Sequence, residues 1–394
     1  MLPTNRLVSL DAFRGFIMLL MASSGFGLVQ MARAHPDSWG WQQVQWHLSH
    51  ASWGYGPQWH TWGALWDMIQ PAFMFMVGIA VPYSIARRKE LGQGFFLRLS
   101  HALIRSILLI LLGVLLATRS DSKQTVWLFT NVLAQIGLGY LFLHLIASMG
   151  WEYCVAALIL LVVGYWFYFF QHPLPGAGYD FASAGAVATD LLPGHFGHWS
   201  MHLNAAADFD RWFLNLFPRE TPYVTNPGGY TTLNFIPALA TMLGGAVTGF
   251  FLQVSRKTHG QRTGMLIVMA FVCLLIGVIM GLFGVPIVKR IWTPSWVFYS
   301  GGWVLLMLAF FYWFVEVAGQ RKLVFPLVVV GMNSIFIYLM HNLAGGWIRQ
   351  QIRIHADPRA LASQWAPVIE YTGMLLVLWL LCFWLYRQRA FLRL

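Results

Sequence analysis

The stretch His50–Pro82, HASWGYGPQWHTWGALWDMIQPAFMFMVGIAVP, decides the fold. Its first half is an aromatic loop carrying His50 and His60. Its second half is an apolar run that opens at Asp67, with Gln70-Pro71 one turn further on. Taken from residue 65 to 86 the run holds about twenty residues, long enough to cross a roughly 30 Å hydrocarbon core as a helix. Polar groups facing hydrocarbon are costly, so Asp67 and Gln70 mark either a packed seam between helices or a site.

Working outward, nine more runs of that kind bring the number to ten: approximately 7–31, 65–86, 97–118, 127–149, 153–171, 231–254, 264–285, 296–318, 324–343 and 366–388. The runs are continuous and lack a period-two alternation, so they read as helices and not as barrel strands. With 58% hydrophobic and 10% charged residues the composition lies outside the soluble range. The fold class is therefore an all-α polytopic membrane protein, with residues 1–394 forming one transmembrane domain. Its first run contains Asp11 and Arg14 and no small-residue cleavage site, and reads as a retained first span.

The formal charge of +11 does not point to nucleic acid, because the bases fall in short clusters between apolar spans and no basic face with periodic aromatics occurs. They act as topology signals. Arg6, Arg87-Arg88-Lys89, Arg98, Arg256-Lys257, Arg262, Arg321-Lys322, Arg387, Arg389 and Arg393 fall on one side. The longer connections opposite hold Asp37, Asp121, Asp180, Asp190, Asp208, Asp210, Glu220 and Asp357. The positive-inside rule places both termini in the cytoplasm. Two outer segments, 32–64 and 172–230, are rich in Trp, His, Gly and Pro and read as lids over the membrane part. A third, 344–365, contains GWIRQQIRI and reads as an interfacial amphipathic helix. No matching motifs relate the two halves, so an inverted-repeat transporter finds no support.

Polar residues inside the spans sort by depth. Asp11 and Arg14 lie one turn apart near the cytoplasmic end of the first span, as a local ion pair or as a cation facing an anion. Arg105 sits on the order of 12 Å below the cytoplasmic rim. A buried guanidinium suits phosphate or carboxylate, although snorkelling would also place it there. Ser106, Gln135, Asn333 and Ser334 fall near mid-membrane, where each serves as helix-packing glue or as ligand. Towards the outside come His50, His60, Asp67, Gln70, Asn234, Lys289-Arg290, Trp292, His341 and Asn342. The order makes a polar track, cationic inside, amide midway and imidazole outside. It would pass a substrate or hold one molecule lengthwise, with Asn234, Arg290, Trp292 and His341 as substrate-binding candidates at its outer end. Histidine is the natural general base near neutral pH, and a carboxylate fixes its tautomer. No Gly-rich phosphate loop, G-x-S-x-G elbow or H-E-x-x-H motif occurs. Cys154, Cys273 and Cys382 lie in apolar runs away from metal-ligand spacing, so neither a disulfide framework nor a metal site is expected.

Taken in order, these residues resemble the heparan-α-glucosaminide N-acetyltransferase family of membrane acyltransferases and its bacterial relatives. The resemblance is carried by Arg6-Leu7-Val8-Ser9-Leu10-Asp11-Ala12-Phe13-Arg14-Gly15, His50-Ala51-Ser52-Trp53, Asp67 with Pro71, and Arg105-Ser106. It continues through Val132-Leu133 with Gly137, Asn234, Trp292 with Ser295, and Gly331-Met332-Asn333-Ser334 followed by His341. It implies an acyltransferase of the bacterial inner membrane that takes acetyl-CoA from the cytoplasm. Arg14, Arg105, Ser106, Gln135, Asn333 and Ser334 would line the donor's path, and the acetyl group would reach an amino or hydroxyl group of a glycan outside. By this resemblance His50 is the catalytic histidine, as general base or as transient acetyl carrier, with Asp67 beside it. Three features differ from the family pattern. Seventeen positions separate His50 from Asp67, and His60 in that gap is a rival. Ser23-Ser24-Gly25 stands where an Asn is usual. Gln135 stands where an Arg is expected, which shifts phosphate binding to Arg14 and Arg105. The competing function is a transporter or flippase of a sugar-containing or anionic substrate. Expected partners are membrane lipid, the coenzyme A thioester and the glycan acceptor, with homo-oligomerisation left open.

Overall fold

The structure is a computed structural model that describes residues 7–118 and 122–392; Arg6, Asp121 and Arg393 of the topology argument lie outside the described residues. Fifteen α-helices and no strands occur among these residues: α1 Val8–Ala22, α2 Leu28–Ala34, α3 Trp39–His47, α4 Ile69–Glu90, α5 Phe95–Ala117, α6 Val132–Met149, α7 Trp151–Phe170, α8 Ala205–Phe213, α9 Phe235–Val254, α10 His259–Phe283, α11 Pro294–Tyr312, α12 Phe325–Gly331, α13 Ser334–Ala356, α14 Pro358–Ala362 and α15 Ala366–Arg387. Eight helices are long and apolar enough to cross a membrane, and ten spans result if each of two bent pairs counts as one. The chain is an all-α polytopic membrane protein. Below, the face from which α1 starts and on which α15 ends is the terminal face, and the other is the loop face.

The centre of the bundle is α4. Its apolar window is 72% buried, whereas that of α10, on the periphery, is 22% buried and turns Phe271, Val272 and Leu275 outward. Helices in lipid gain little from apolar burial alone, so close backbone approach holds them together. Glycines permit it here. A Cβ on Gly331 of α12 would stand 2.0 Å from the Asp11 carbonyl oxygen of α1, and one on Gly78 of α4 would stand 1.9 Å from that of Met242 on α9. These crossings pair α12 with α1 and α9 with α4, and α1 packs on α4 between them.

Two of the ten spans are bent pairs. The first turns by 40° between α1 and α2 through Ser24, Gly25, Phe26 and Gly27, all at positive φ, a left-handed turn that side chains other than glycine adopt at a cost. The second turns by 78° between α12 and α13. There Asn333 leaves helical geometry, donates from Nδ2 to the Ala390 carbonyl at 3.3 Å and accepts from the Leu392 amide at 3.0 Å. The bend thus pins the C-terminal segment. A correction concerns 344–365: α13 continues unbroken to Ala356, so the GWIRQQIRI stretch extends a span helix.

On the loop face, Phe169 stacks on Trp199 at 4.5 Å, and Tyr165, Leu233, Val288 and Ile291 complete a small apolar core. Trp53 packs against it and donates from Nε1 to the Trp199 carbonyl at 3.1 Å. The segment carrying His50 is thereby held by the longer one that follows α7.

Candidate functional site

Extended backbone at Ala64 leads into a 3₁₀ turn, Leu65–Met68, before α4 begins. Asp67 is third in that turn, and its Oδ2 accepts the Ala64 amide at 3.3 Å, which turns the carboxylate back towards the preceding loop. There His50 Nδ1 donates to Oδ1 at 2.8 Å and the Ala51 amide to Oδ2 at 3.0 Å. A fourth partner is Lys289, whose Nζ donates to Oδ1 at 3.0 Å and lies 3.1 Å from His50 Nδ1. Asp67 is 1% exposed and Lys289 8%. Because carboxylate and ammonium form a buried pair, the Asp67 side accepts, which assigns the imidazole proton to Nδ1. Nε2 remains, on a ring that lines a cavity of about 400 Å³ together with Lys289, Tyr230, Asn131, Gln70, His341 and Asn342.

A second cavity of about 560 Å³ opens at the terminal face. Arg14, Arg87, Arg88 and Arg105 line it with Tyr140, Ser84 and Ser334, and no Asp or Glu among the described residues does. Arg105 donates from Nη1 to the Tyr140 hydroxyl at 2.9 Å, and its guanidinium lies 4.8 Å from that ring's centre. Arg88 donates to Gln93 Oε1 at 2.9 Å, Arg87 pairs with Glu90 at 3.2 Å, and Arg14 lies 3.8 Å from Asp11. A multiply charged anion fits this donor set better than a neutral ligand does.

One face of α4 joins the two cavities. Trp66, Ile69, Gln70 and Phe73 line the loop-face cavity, while Phe73, Val77, Ala80, Val81, Ser84, Arg87 and Arg88 line the other. The spacing is helical, and Gln70 to Arg87 covers about 26 Å. Phe73 alone among the described residues lines both, and at 6% exposure its ring is the partition.

The remaining sequence candidates divide. Arg14, Arg105 and Ser334 line the terminal-face cavity, and His341 lines the loop-face one with a buried Nδ1 that no described residue bonds. His60 is exposed; the side chains that reach the Asp67 carboxylate among the described residues are His50 and Lys289. Several candidates stand apart from both cavities because they hold backbone. Gln135 donates to the carbonyls of Phe129 and Thr232 at 2.7 and 3.1 Å, and Asn234 to that of Arg290 at 2.8 Å. Arg290 donates to the carbonyls of Gly228 and Ala51 at 3.3 and 3.2 Å, so it fixes the segment that carries His50. Trp292 is a core residue bonded to Thr241 Oγ1 at 3.1 Å, Asn333 holds the C-terminal segment, and Ser106 is buried where α5 meets α6. Lys289 is the functional candidate that sequence reasoning left unassigned; its signal was a Lys-Arg pair at the outer end of a span, and the fold alone joins it to Asp67. Outside the spans, Asp210 is fully buried and accepts the Thr232 amide at 2.9 Å on Oδ2, while Oδ1 has no hydrogen-bond partner among the described residues; burial pushes its carboxyl up to about 6.

No family model matches the chain. Two curated proteins do: the heparan-α-glucosaminide N-acetyltransferases of Homo sapiens and Mus musculus, each 22% identical over 429 aligned positions covering 98% of this chain. The chain spans about three-fifths of their length, 59% and 60%. The likeness is low in identity and runs the length of the chain, as between distant relatives.

Proposed function

We propose that the protein is a membrane acyltransferase that moves an acetyl group from acetyl-CoA in the terminal-face cavity to an amino or hydroxyl group of a glycan at the loop-face cavity. The observation that carries the reading is the continuous face of α4, arginine-lined at one end and bordered by the His50–Asp67 pair at the other. In this reading the terminal face is cytoplasmic, as the basic connections on it favour, and the membrane is a bacterial inner membrane. Segments 32–64 and 172–230 cover the acceptor. The similarity to two acetyltransferases supports transfer over transport.

The donor is a substrate here, and its phosphates would be held by Arg14, Arg87, Arg88 and Arg105. His50 does the proton work. Its Nε2 takes the proton of the acceptor's amine or hydroxyl as that group attacks the thioester carbonyl, and the thiolate of coenzyme A leaves. The alternative order, in which Nε2 itself takes the acetyl group and passes it on, uses the same atom. In both, Asp67 stabilises the positive ring on Nδ1 and keeps its orientation, as a carboxylate does beside a working histidine. Lys289 offsets the buried carboxylate, so the site is not left with an uncompensated negative charge.

Acetyl-CoA turnover by the purified protein tests the assignment. His50→Ala should abolish turnover and His60→Ala should leave it. Unchanged turnover in His50→Ala removes His50 from the chemistry, and turnover lost only in His60→Ala transfers the role to His60.

A further inference from the structure

Beside the arginine-lined cavity the helices α5 and α6 face one another in two rungs. Arg105 and Tyr140 form the upper rung, where Nη1 of Arg105 donates to the Tyr140 hydroxyl and its buried Nε makes no hydrogen bond among the described residues. Arg98 lies seven residues before Arg105 on the same face of α5, about 10 Å nearer the terminal face, and His144 lies one turn after Tyr140 on α6. The packing of α5 on α6 is close: a Cβ on Gly137 would meet the Ser106 carbonyl oxygen at 2.8 Å. Arg98 and His144, brought together by the same packing, form the lower rung, which lacks the side-chain hydrogen bond of the upper. Neither side chain has a hydrogen-bond partner among the described residues. Arg98 is 8% exposed, and its Nε and Nη1 make no hydrogen bond; His144 is 4% exposed, and its Nε2 makes none. Arg98 and Arg88 both act electrostatically on His144, and no acid does. Arg88 and its partner Gln93 line the cavity next to them.

A buried guanidinium without a counter-charge is among the costlier arrangements a fold contains, and polar groups inside a membrane protein that find no protein partner mark a ligand. The geometry points to a phosphate-binding subsite at Arg98 and His144, beside the arginine-lined cavity and sharing Arg88 with it. An arginine fork with an adjacent imidazole and a second arginine suits a phosphate better than a carboxylate, since three oxygens need donors from different directions. Resting on the acetyl-CoA reading, we propose that the phosphate is the ribose phosphomonoester of the coenzyme. A phospholipid headgroup entering from the same face offers the same chemistry.

The test compares the affinity of coenzyme A with that of 3′-dephospho-coenzyme A in wild type, Arg98→Gln and His144→Gln, each in phosphatidylcholine nanodiscs. Wild type should prefer coenzyme A by at least about tenfold, and Arg98→Gln should reduce the preference to about twofold or less while affinity for the dephospho form stays put. Loss of bound phosphatidylglycerol in Arg98→Gln by native mass spectrometry, with the coenzyme preference unchanged, assigns the phosphate to lipid. Neither change overturns the subsite. Failure of wild type to bind coenzyme A at all removes the acetyl-CoA reading instead, and the lipid measurement still decides the subsite. Ligand-free Arg98→Gln should melt no lower than wild type, because an unpaired buried charge has been removed. A clear drop in melting temperature overturns the proposal in favour of a structural role.

Discussion

The Asp67–Lys289 pair offers the sharpest quantitative test. At 3.0 Å, with an effective dielectric constant of about 20, the attraction between the two charges is about 5–6 kcal/mol. Removing one member of a buried pair typically costs about 3–5 kcal/mol, because the other charge stays buried without compensation. The two members should sit at different ends of that range. Lys289→Met leaves Asp67 with His50 and two backbone amides, and should cost about 3 kcal/mol. Asp67→Asn leaves Lys289 near His50 Nδ1 alone, and should cost about 5 kcal/mol. The double variant removes both charges together and should be less destabilised than Asp67→Asn. The coupling energy from the cycle should then be about 3 kcal/mol or more, read from denaturant titrations in mixed micelles followed by tryptophan fluorescence. Additivity within about 0.5 kcal/mol would refute the reasoning, since it would mean that the two charges do not meet in solution. Acetyl transfer separates stability from orientation: the double variant should recover stability and remain slow, because His50 has lost the carboxylate that sets its tautomer.

Two further outcomes follow from the same geometry. Phe73→Ala should join the two cavities, at a folding cost of about 3 kcal/mol, the low end for truncating a core Phe because its ring already borders space on two sides. The expected readout is a rise in acetyl-CoA hydrolysis relative to transfer, and an unchanged ratio would remove Phe73 as the partition. Asp210 sets a pH dependence of stability. Its folded-state carboxyl titrates at about 6 against an ordinary 3.8, so the folded state binds the extra proton between those values. The stability that Asp210 contributes should be fully present below about 4 and be lost as pH rises through about 6. Asp210→Asn should flatten that part of the melting-temperature profile, and an unaltered slope would place the titration elsewhere.

Span positions were legible because an apolar run of sufficient length admits few other fates in lipid. The breaks were not. Gly25 and Gly27 sit in an apolar run that reads through them as one span, and the bend at Asn333 is tied to Ala390 and Leu392, nearly sixty residues on, which supply its partners. The site shows the same division. Asp67 was visible as a carboxylate in an apolar run, and its pairing with His50 across seventeen positions followed once the loop folded back. Gln135, Asn234, Arg290 and Asn333 looked equally like ligands. Each instead donates to carbonyls of non-helical backbone, which in an apolar surrounding need donors as strictly as any substrate does. Residue type and depth do not distinguish these two uses, because both call for a buried donor.

What does distinguish them is whether a counterpart is already present. At the loop face the charges cancel: Asp67 is matched by Lys289, and every oxygen of the carboxylate is bonded. Among the described residues at the terminal face, the Arg88 and Arg105 side chains bond only neutral groups and that of Arg98 bonds none. An anion therefore gains most by entering at the terminal face, and it would gain little by continuing past Phe73 into a region whose charges are already paired. A donor that is polyanionic at one end and neutral at its acyl end is held by such a gradient in one orientation, with its reactive carbonyl towards His50. The charge pattern thus supplies direction as well as affinity. Reversing it locally, with Lys289→Glu, should weaken acetyl transfer far more than it weakens coenzyme A binding; equal losses in both would show that the two ends of the track are not electrostatically separate.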